Sequence, residues 1–415
     1  MLAAAPHAEE TVEDAGWAWR PAVAEAGLLV WGVGVQLSEA LAATGMVLSL
    51  ISVLPPGTGW QARARRAWPL WAFVGWCLLA PVLAGHWPVT GGLARILDWC
   101  FLPVAVSALP LLGQRARRRL TVAMAVVFLL SCAAALCQHW GLWPRPETFA
   151  RFRWTGLPFQ RMYEPLPGES SRYMAGGLLL HRLKFAHVGG FLVLGYLDLG
   201  LLKRSRPALA VAAVGALCLL WLPHARAASV ALVVAMGLVL ALRLSGRWRW
   251  PTLLGALLLA VGLVAAVPSL RLRFASAATD EGSGDRRWLA KCAWRAVEEY
   301  PLAGVGLGRY RPALFASPDT PLEVVRHAGK AHNQYLTLAA EAGLPAGILY
   351  LAVLLWCWLR VRPRAPLGAA GRASVIFLGL VSLLHDPLFH AEVSMAAVLA
   401  LGLAQGMTEE DEETA

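Results

Sequence analysis

His332, Arg226 and Arg286 stand where polar segments meet long apolar ones, and their side-chain types suit moving a group off a phosphate. His332 enters KAHNQYLTLAAEAGLPAGILYL at 330–351, directly before an apolar run long enough to cross a bilayer. An imidazole at such a mouth is costly to bury, and near neutral pH it can take a proton from a hydroxyl. It can equally cap its helix or sit at the interface, and Asn333 adds a second polar group at the same mouth. Arg226, in PHARAAS at 223–229, lies between two apolar runs, and Arg286 opens an amphipathic stretch, DRRWLAKCAWRAVEEYP at 285–301. A guanidinium grips phosphate oxygens through paired hydrogen bonds, and a helix N-terminus adds a favourable dipole for an anion. The alternative for each arginine is snorkelling to lipid headgroups.

A second group falls in RYMAGGLLLHRLKFAHVGG at 172–190, which carries His181, Arg182, Lys184 and His187. Four ionisable residues so close together are expensive in lipid and should face a cavity or a partner. His181, Arg182 and Lys184 are near enough on a helix to share one anion; an interfacial helix end explains them as well. His385, Asp386, His390 and Glu392 form a further short polar turn that could orient an acceptor or His332, or be ordinary turn residues.

These residues need elements to hold them, and the composition says which. The chain has 415 residues, 58% apolar and 15% charged, against roughly 25% charged in soluble proteins, and its mean hydropathy is +0.55. That is the composition of a polytopic membrane protein. Apolar runs fall at 22–54, 68–86, 98–113, 119–138, 173–200, 207–223, 227–243, 250–268, 334–359, 372–385 and 391–406. The first run is too long for one crossing and holds Gln36, Ser38 and Glu39 near its middle, so it reads as two short helices. The expected fold is therefore all-α, a transmembrane bundle of about twelve helices. Residues 1–21 read as a cytoplasmic tail, 22–406 as one membrane domain, and 407–415 as an acidic, solvated cytoplasmic tail.

Five connections carry arginine and lysine with no acid among them: Arg63/Arg65/Arg66, Arg115/Arg117/Arg118/Arg119, Lys203/Arg204/Arg206, Arg243/Arg247/Arg249 and Arg360/Arg362/Arg364/Arg372. With twelve crossings all five fall on one side, which the positive-inside rule makes cytoplasmic. The net charge of +11 is accounted for by these clusters, without nucleic acid. The opposite, outer side receives the turn at 222–226, the turn at 385–390, and a large loop at about 269–333. In that loop Asp285 can cap a helix running to Tyr300, stopped by Pro301, with Leu289, Cys292, Ala293, Ala296, Val297 and Tyr300 on one face. Such a helix should lie flat on the membrane surface or over a cavity.

Other chemistries find little support. Six of the seven cysteines lie in apolar runs without metal-ligand spacing and read as packing residues. The pattern Gly304-x-Gly306-x-Gly308 lacks the preceding strand of a dinucleotide loop, and no Asp-x-Asp or His-x-x-x-His occurs that would argue for a metal.

His332-Asn333, nine residues and then Gly343 resemble the signature of the O-antigen ligase and polymerase superfamily. DRRWLAKCAWRAVEEYPLAGVGLG at 285–308 is similar to the same family's arginine, amphipathic helix, proline and Gly-Val-Gly turn, and PHARAAS to its arginine-bearing turn. The resemblance covers roughly residues 170–406. The chain departs from the pattern at Ala346, where the family often has Gly, Thr or Tyr; here Gly347 comes one residue later. The resemblance implies a multi-pass protein of the bacterial inner membrane with its site facing the periplasm. It implies an inverting, metal-independent glycosyltransferase, without cofactor, that moves a glycan from an undecaprenyl-diphosphate carrier to an acceptor hydroxyl. His332 would be the base, and Arg226 and Arg286 would hold the diphosphate; beside what the resemblance implies, Asn333 and the Lys184, Arg182 and His181 cluster are the further candidate substrate contacts. Ligation of O-antigen to lipid A core is the favoured reaction. The alternatives are a polymerase using a second lipid-linked glycan, a transferase to protein hydroxyls, and a lipid-glycan transporter. The transporter would call for internal repeats and interrupted helices at matching positions, and no repeat relates the two halves.

Overall fold

The structure, a computed structural model, describes residues 17–55, 59–85, 90–143, 165–166, 171–244, 246–266, 280–321 and 330–414. Most of the expected N-terminal tail and parts of the outer segments, including 267–279 and 322–329, lie outside them. Among the described residues the chain is helical, and one isolated bridge between Pro165 and Tyr173 is the only β pairing.

The helices are α1 (Arg20–Gly34), α2 (Glu39–Val53), α3 (Trp60–Arg66), α4 (Trp68–Leu83), α5 (Thr90–Leu97), α6 (Leu102–Ala108), α7 (Gln114–His139), α8 (Arg182–Leu202) and α9 (Arg206–Trp221). They continue with α10 (Arg226–Arg243), α11 (Arg249–Ala266), α12 (Asp280–Glu299), α13 (Gln334–Arg360), α14 (Gly368–Leu384) and α15 (Ala391–Thr414). Each apolar run contains a helix, and the first holds two, turning at Ser38.

Twelve full-length crossings are not found among the described residues. Among the described residues five helices are long and apolar enough to cross a membrane: Gly92–Leu111, Gln114–His139, Arg182–Leu202, Arg226–Arg243 and Ala391–Glu409. A sixth is reached if α3 and α4, bent by 71° where Pro69 follows, are counted together. Four further apolar helices are shorter; Glu39–Val53, at 15 residues, reaches only about 22 Å of a ~30 Å hydrocarbon core. Apolar composition had suggested a full crossing wherever a run was long, whereas polar breaks and glycines interrupt several runs. The run at 173–200 becomes helical only at Arg182. Ahead of it Gln138 of α7 holds the chain in a loop, accepting from Gly176 N–H at 3.0 Å and donating to the Gly177 carbonyl at 2.8 Å.

α8 is the most enclosed of the long helices after α15, and it packs on α9, α10, α14 and α15. Its C-terminal end and the other basic clusters gather at one end of the bundle. There Arg63 and Arg360 both pair with Glu409 (2.5 and 3.3 Å), Arg243 pairs with the fully buried Asp198, and Arg117 reaches Met407. The acidic tail expected to be solvated is thus a continuation of α15 as far as Thr414, and Glu409 closes two interhelical ion pairs. The opposite end holds the N-termini of α8, α10 and α13.

Candidate functional site

At that opposite end, α13 begins with its N–H groups prepared. The Asn333 side-chain oxygen accepts from Leu336 N–H at 3.0 Å, and its amide donates to the Leu383 carbonyl at 3.1 Å. Asn333 is therefore the N-cap of α13 and a tie to the end of α14. The turn after α14 completes the clamp. Gln334 N–H donates to the His385 carbonyl (3.1 Å), Leu388 N–H donates to the Gln334 side chain (3.1 Å), and Thr337 Oγ1 donates to Asp386 Oδ1 at 2.5 Å. The backbone N–H of His332 also supports the Asp386 carboxylate.

Held in this way, His332 adopts a left-handed backbone, φ 53°. Among the described residues it is one of five non-glycines with positive φ; two more, Leu180 and His224, precede Arg182 and Arg226 by two residues. Such conformations are uncommon outside glycine and persist where surrounding contacts determine them. Here they sit at the entry to each of three helices that deliver candidate site residues.

α13 is itself broken. Ala342 and Gly343 leave helical geometry, so its first half, starting at Gln334, ends where the apolar second half begins at Leu344. The turn at 304–306 caps the broken end: Val305 N–H donates to the Ala340 carbonyl (2.9 Å), Gly306 N–H to Glu341 (2.8 Å), and the Trp76 indole to Ala342 (2.8 Å). Leu344 N–H, which starts the second half, donates to the Pro301 carbonyl at 2.8 Å. A Cβ at Gly343 would stand 1.8 Å from the Leu302 carbonyl oxygen, and one at Gly304 would stand 2.4 Å from the Glu341 backbone. The spacing from His332 to Gly343 thus measures a half-helix, and the Gly-Val-Gly turn is the cap that ends it.

The loop helix α12 brings Arg286. It starts at Asp280, five residues before the expected cap, so Arg286 lies in its second turn and does not open it; the Asp285 side chain lies outside the described residues. Leu289, Cys292, Ala293, Ala296 and Val297 are buried as the amphipathic pattern requires, and Arg287, Lys291, Arg295 and Glu298 are exposed. Tyr300, expected on the buried face, is exposed. The apolar face covers protein: Ala293, Ala296 and Val297 pack with Tyr310 and Ala331 and with Ala339 and Ala340 on the first half of α13.

Arginines from three elements lie within electrostatic reach of one another. Arg182 and Arg286 both act electrostatically on Arg226, and burial followed by Arg182 holds the Arg286 guanidinium below its usual range. His332 belongs to the same neighbourhood. Its pKa is lowered to about 4, first by burial, then by Lys330 and by Arg286, so its imidazole is neutral at physiological pH. His385 is likewise held well below its usual value, by burial, His187, Arg286, His332 and Arg182 in that order. Burial raises Asp386, opposed by Lys330, the Thr337 hydrogen bond and Arg95. The result is a concentration of positive charge from Arg182, Arg226 and the α12 residue Arg286 beside a neutral imidazole, near the N-terminal ends of α8, α10 and α13, where helix dipoles add to the attraction for an anion.

Two expected contacts have other occupations. Lys184 pairs with Glu392 at 2.6 Å, tying α8 to α15, and His181 caps α8 by accepting from Lys184 N–H at 3.4 Å, with its ring 4.9 Å from that of His390. Both lie near Arg182 at the start of α8, Lys184 engaged by the Glu392 carboxylate. The residues undervalued in the sequence are His385 and Asp386. Their signal was present in two histidines and an Asp-Pro pair inside a six-residue turn between apolar runs, where ionisable groups are costly.

Residues 210–351 match a family model described as O-Antigen ligase. The comparison with curated proteins found no match. The matched stretch lies inside the region of resemblance and carries Arg226, Arg286, His332, the Gly-Val-Gly cap and Gly343 together. This part of the chain is thus similar to the O-antigen ligase family.

Proposed function

We propose that the protein transfers a glycan from a polyprenyl diphosphate to an acceptor hydroxyl at the end of the bundle that carries His332. The convergence of Arg182, Arg226 and Arg286 from three elements beside a neutral imidazole carries this reading. His332 takes the proton of the acceptor hydroxyl as its oxygen attacks the anomeric carbon. The bond from that carbon to the phosphate oxygen breaks, the diphosphate leaves with the electron pair, and the guanidiniums neutralise its developing charge. Attack opposite the leaving group inverts the anomeric carbon.

The resting imidazole is a weak base first because it is buried and then because Lys330 and Arg286 lie near it. A bound diphosphate cancels part of that field and raises the His332 pKa towards the range where a base is effective. Donor binding thereby activates the base. Asp386 and Thr337 act as positioning residues, holding the left-handed turn that aims the imidazole. The positive clusters at the opposite end support a periplasmic position for this site, at an inner membrane.

The acceptor we favour is lipid A core, following the family's description, with a second lipid-linked glycan as the alternative. Protein reconstituted with undecaprenyl-diphosphate-linked glycan and offered either acceptor tests both levels of the proposal. Product on lipid A core supports the ligase, lengthened lipid-linked glycan supports a polymerase, and an unconsumed donor with either acceptor defeats the glycosyltransferase reading.

A further inference from the structure

A cavity of about 1030 Å³ lies at the end of the bundle opposite His332. It follows α8 from Lys203 at its mouth to Val188 at its inner end, about 22 Å along the helix. Its inner end is shut by aromatic rings. Phe191 lines it and packs edge to face on Phe377 (5.4 Å), and His187 lies behind Phe377, so the cavity and the arginine site are separated. The polar groups of the wall are largely satisfied: Tyr196 donates to the Thr121 carbonyl at 2.6 Å, and Arg117 donates to the Leu109 and Leu112 carbonyls. The interior therefore suits hydrocarbon. The mouth has the opposite character, with Gln114 and the exposed cations Arg118 and Lys203, and no carboxylate among the lining residues.

An apolar slot with a cationic rim, at the end carrying all five basic clusters, is complementary to one kind of molecule available there. We propose that it is a binding site for an anionic glycerophospholipid of the cytoplasmic leaflet, with acyl chains along α8 and phosphate at Arg118 and Lys203. Anionic lipids concentrate in that leaflet, and each basic residue near them contributes roughly 1 kcal/mol. The lipid would fill the space between α7, α8, α14 and α15 and so brace the helices that carry Arg182 and His385 at their far ends. The inference rests on the membrane reading and the basic end, and not on the glycan chemistry.

The test uses full-length protein stripped of lipid in neutral detergent, with phosphatidylglycerol and phosphatidylcholine of identical chains as probes, read by native mass spectrometry and thermal melting. Phosphatidylglycerol should bind one to one and raise the melting temperature, and phosphatidylcholine should bind more weakly. Arg118→Gln and Lys203→Gln should each weaken phosphatidylglycerol about fivefold, the equivalent of ~1 kcal/mol. Gly195→Leu should block the slot, because a Cβ at Gly195 meets only Leu367 Cδ2, at 4.0 Å, and a longer side chain extends into the cavity. Equal binding of the two lipids, undiminished binding in Gly195→Leu, or preferential capture of a polyprenyl phosphate would each overturn the proposal. The two rim variants are at exposed positions and decide the question even where Gly195→Leu folds poorly.

Discussion

His332 is unusual in carrying a left-handed backbone, a pKa lowered to about 4, and a position next to Arg286 and Lys330. If it is the base, His332→Ala should cut transfer about a hundredfold or more while the protein still inserts and melts normally. Near-normal product would remove it from the mechanism. Its lowered pKa also fixes a direction with pH. The base must be neutral, so kcat/KM, which reports the free enzyme, should fall on the acid side only as pH approaches about 4. Bound diphosphate raises the same pKa, so the acid limb of kcat should lie at higher pH than that of kcat/KM; coincident limbs would separate His332 from the donor. Arg226→Lys and Arg286→Lys keep the charge and lose the planar fork, and each should weaken donor use about tenfold or more, read as KM for the lipid-linked glycan.

The decisive element is α13, a helix broken at Gly343 and capped by the turn at 304–306. Gly343 has φ 81° and no room for a Cβ beside the Leu302 carbonyl. Gly343→Ala should therefore cost about 1–3 kcal/mol of backbone strain, lowering the melting temperature and shifting the half-helix that presents His332. Gly347→Ala provides the contrast, since its Cβ would stand 3.2 Å from the Tyr335 carbonyl oxygen and need only a small adjustment. Equal effects of the two substitutions would argue against the break as a constraint. The loop helix α12 has a related role: its apolar face covers the first half of α13, which carries Arg286 to the arginines of α8 and α10.

The whole molecule is polarised, with cations and Glu409 gathered at one end and the His332 neighbourhood at the other. In intact cells, with the seven native cysteines replaced, a membrane-impermeant thiol reagent should label Phe389→Cys and spare Lys203→Cys. The reverse pattern would invert the proposed orientation. Buried charge at the basic end is also a structural commitment. Asp198 is fully buried, pairs with Arg243 and accepts from Ala370 N–H at 2.9 Å. Asp198→Ala strands the Arg243 cation and should destabilise the detergent-solubilised protein by about 3–5 kcal/mol, measured by thermal melting.

By itself the sequence determined the class of element and the chemistry available. A composition this apolar has to fold as helices in a membrane, because only helices satisfy their own backbone there, and His332, Arg226, Arg286 and Arg182 were legible because ionisable groups beside apolar runs are costly. The hairpin at 20–53 was legible too, since Gln36 and Ser38 interrupt its apolar pattern. Tertiary structure decided how many runs are long enough to cross, since helix breaks depend on what caps them, as the turn at 304–306 does for Gly343. It also decided which charges face one another. Lys184, a candidate anion contact in the sequence, also pairs with Glu392 more than two hundred residues away, and Asp386, part of a short polar turn in the sequence, is closed in by Thr337 and His332. Periodicity along a chain is local, whereas the environment of His332 combines burial with the charges of Lys330 and of Arg286 on α12.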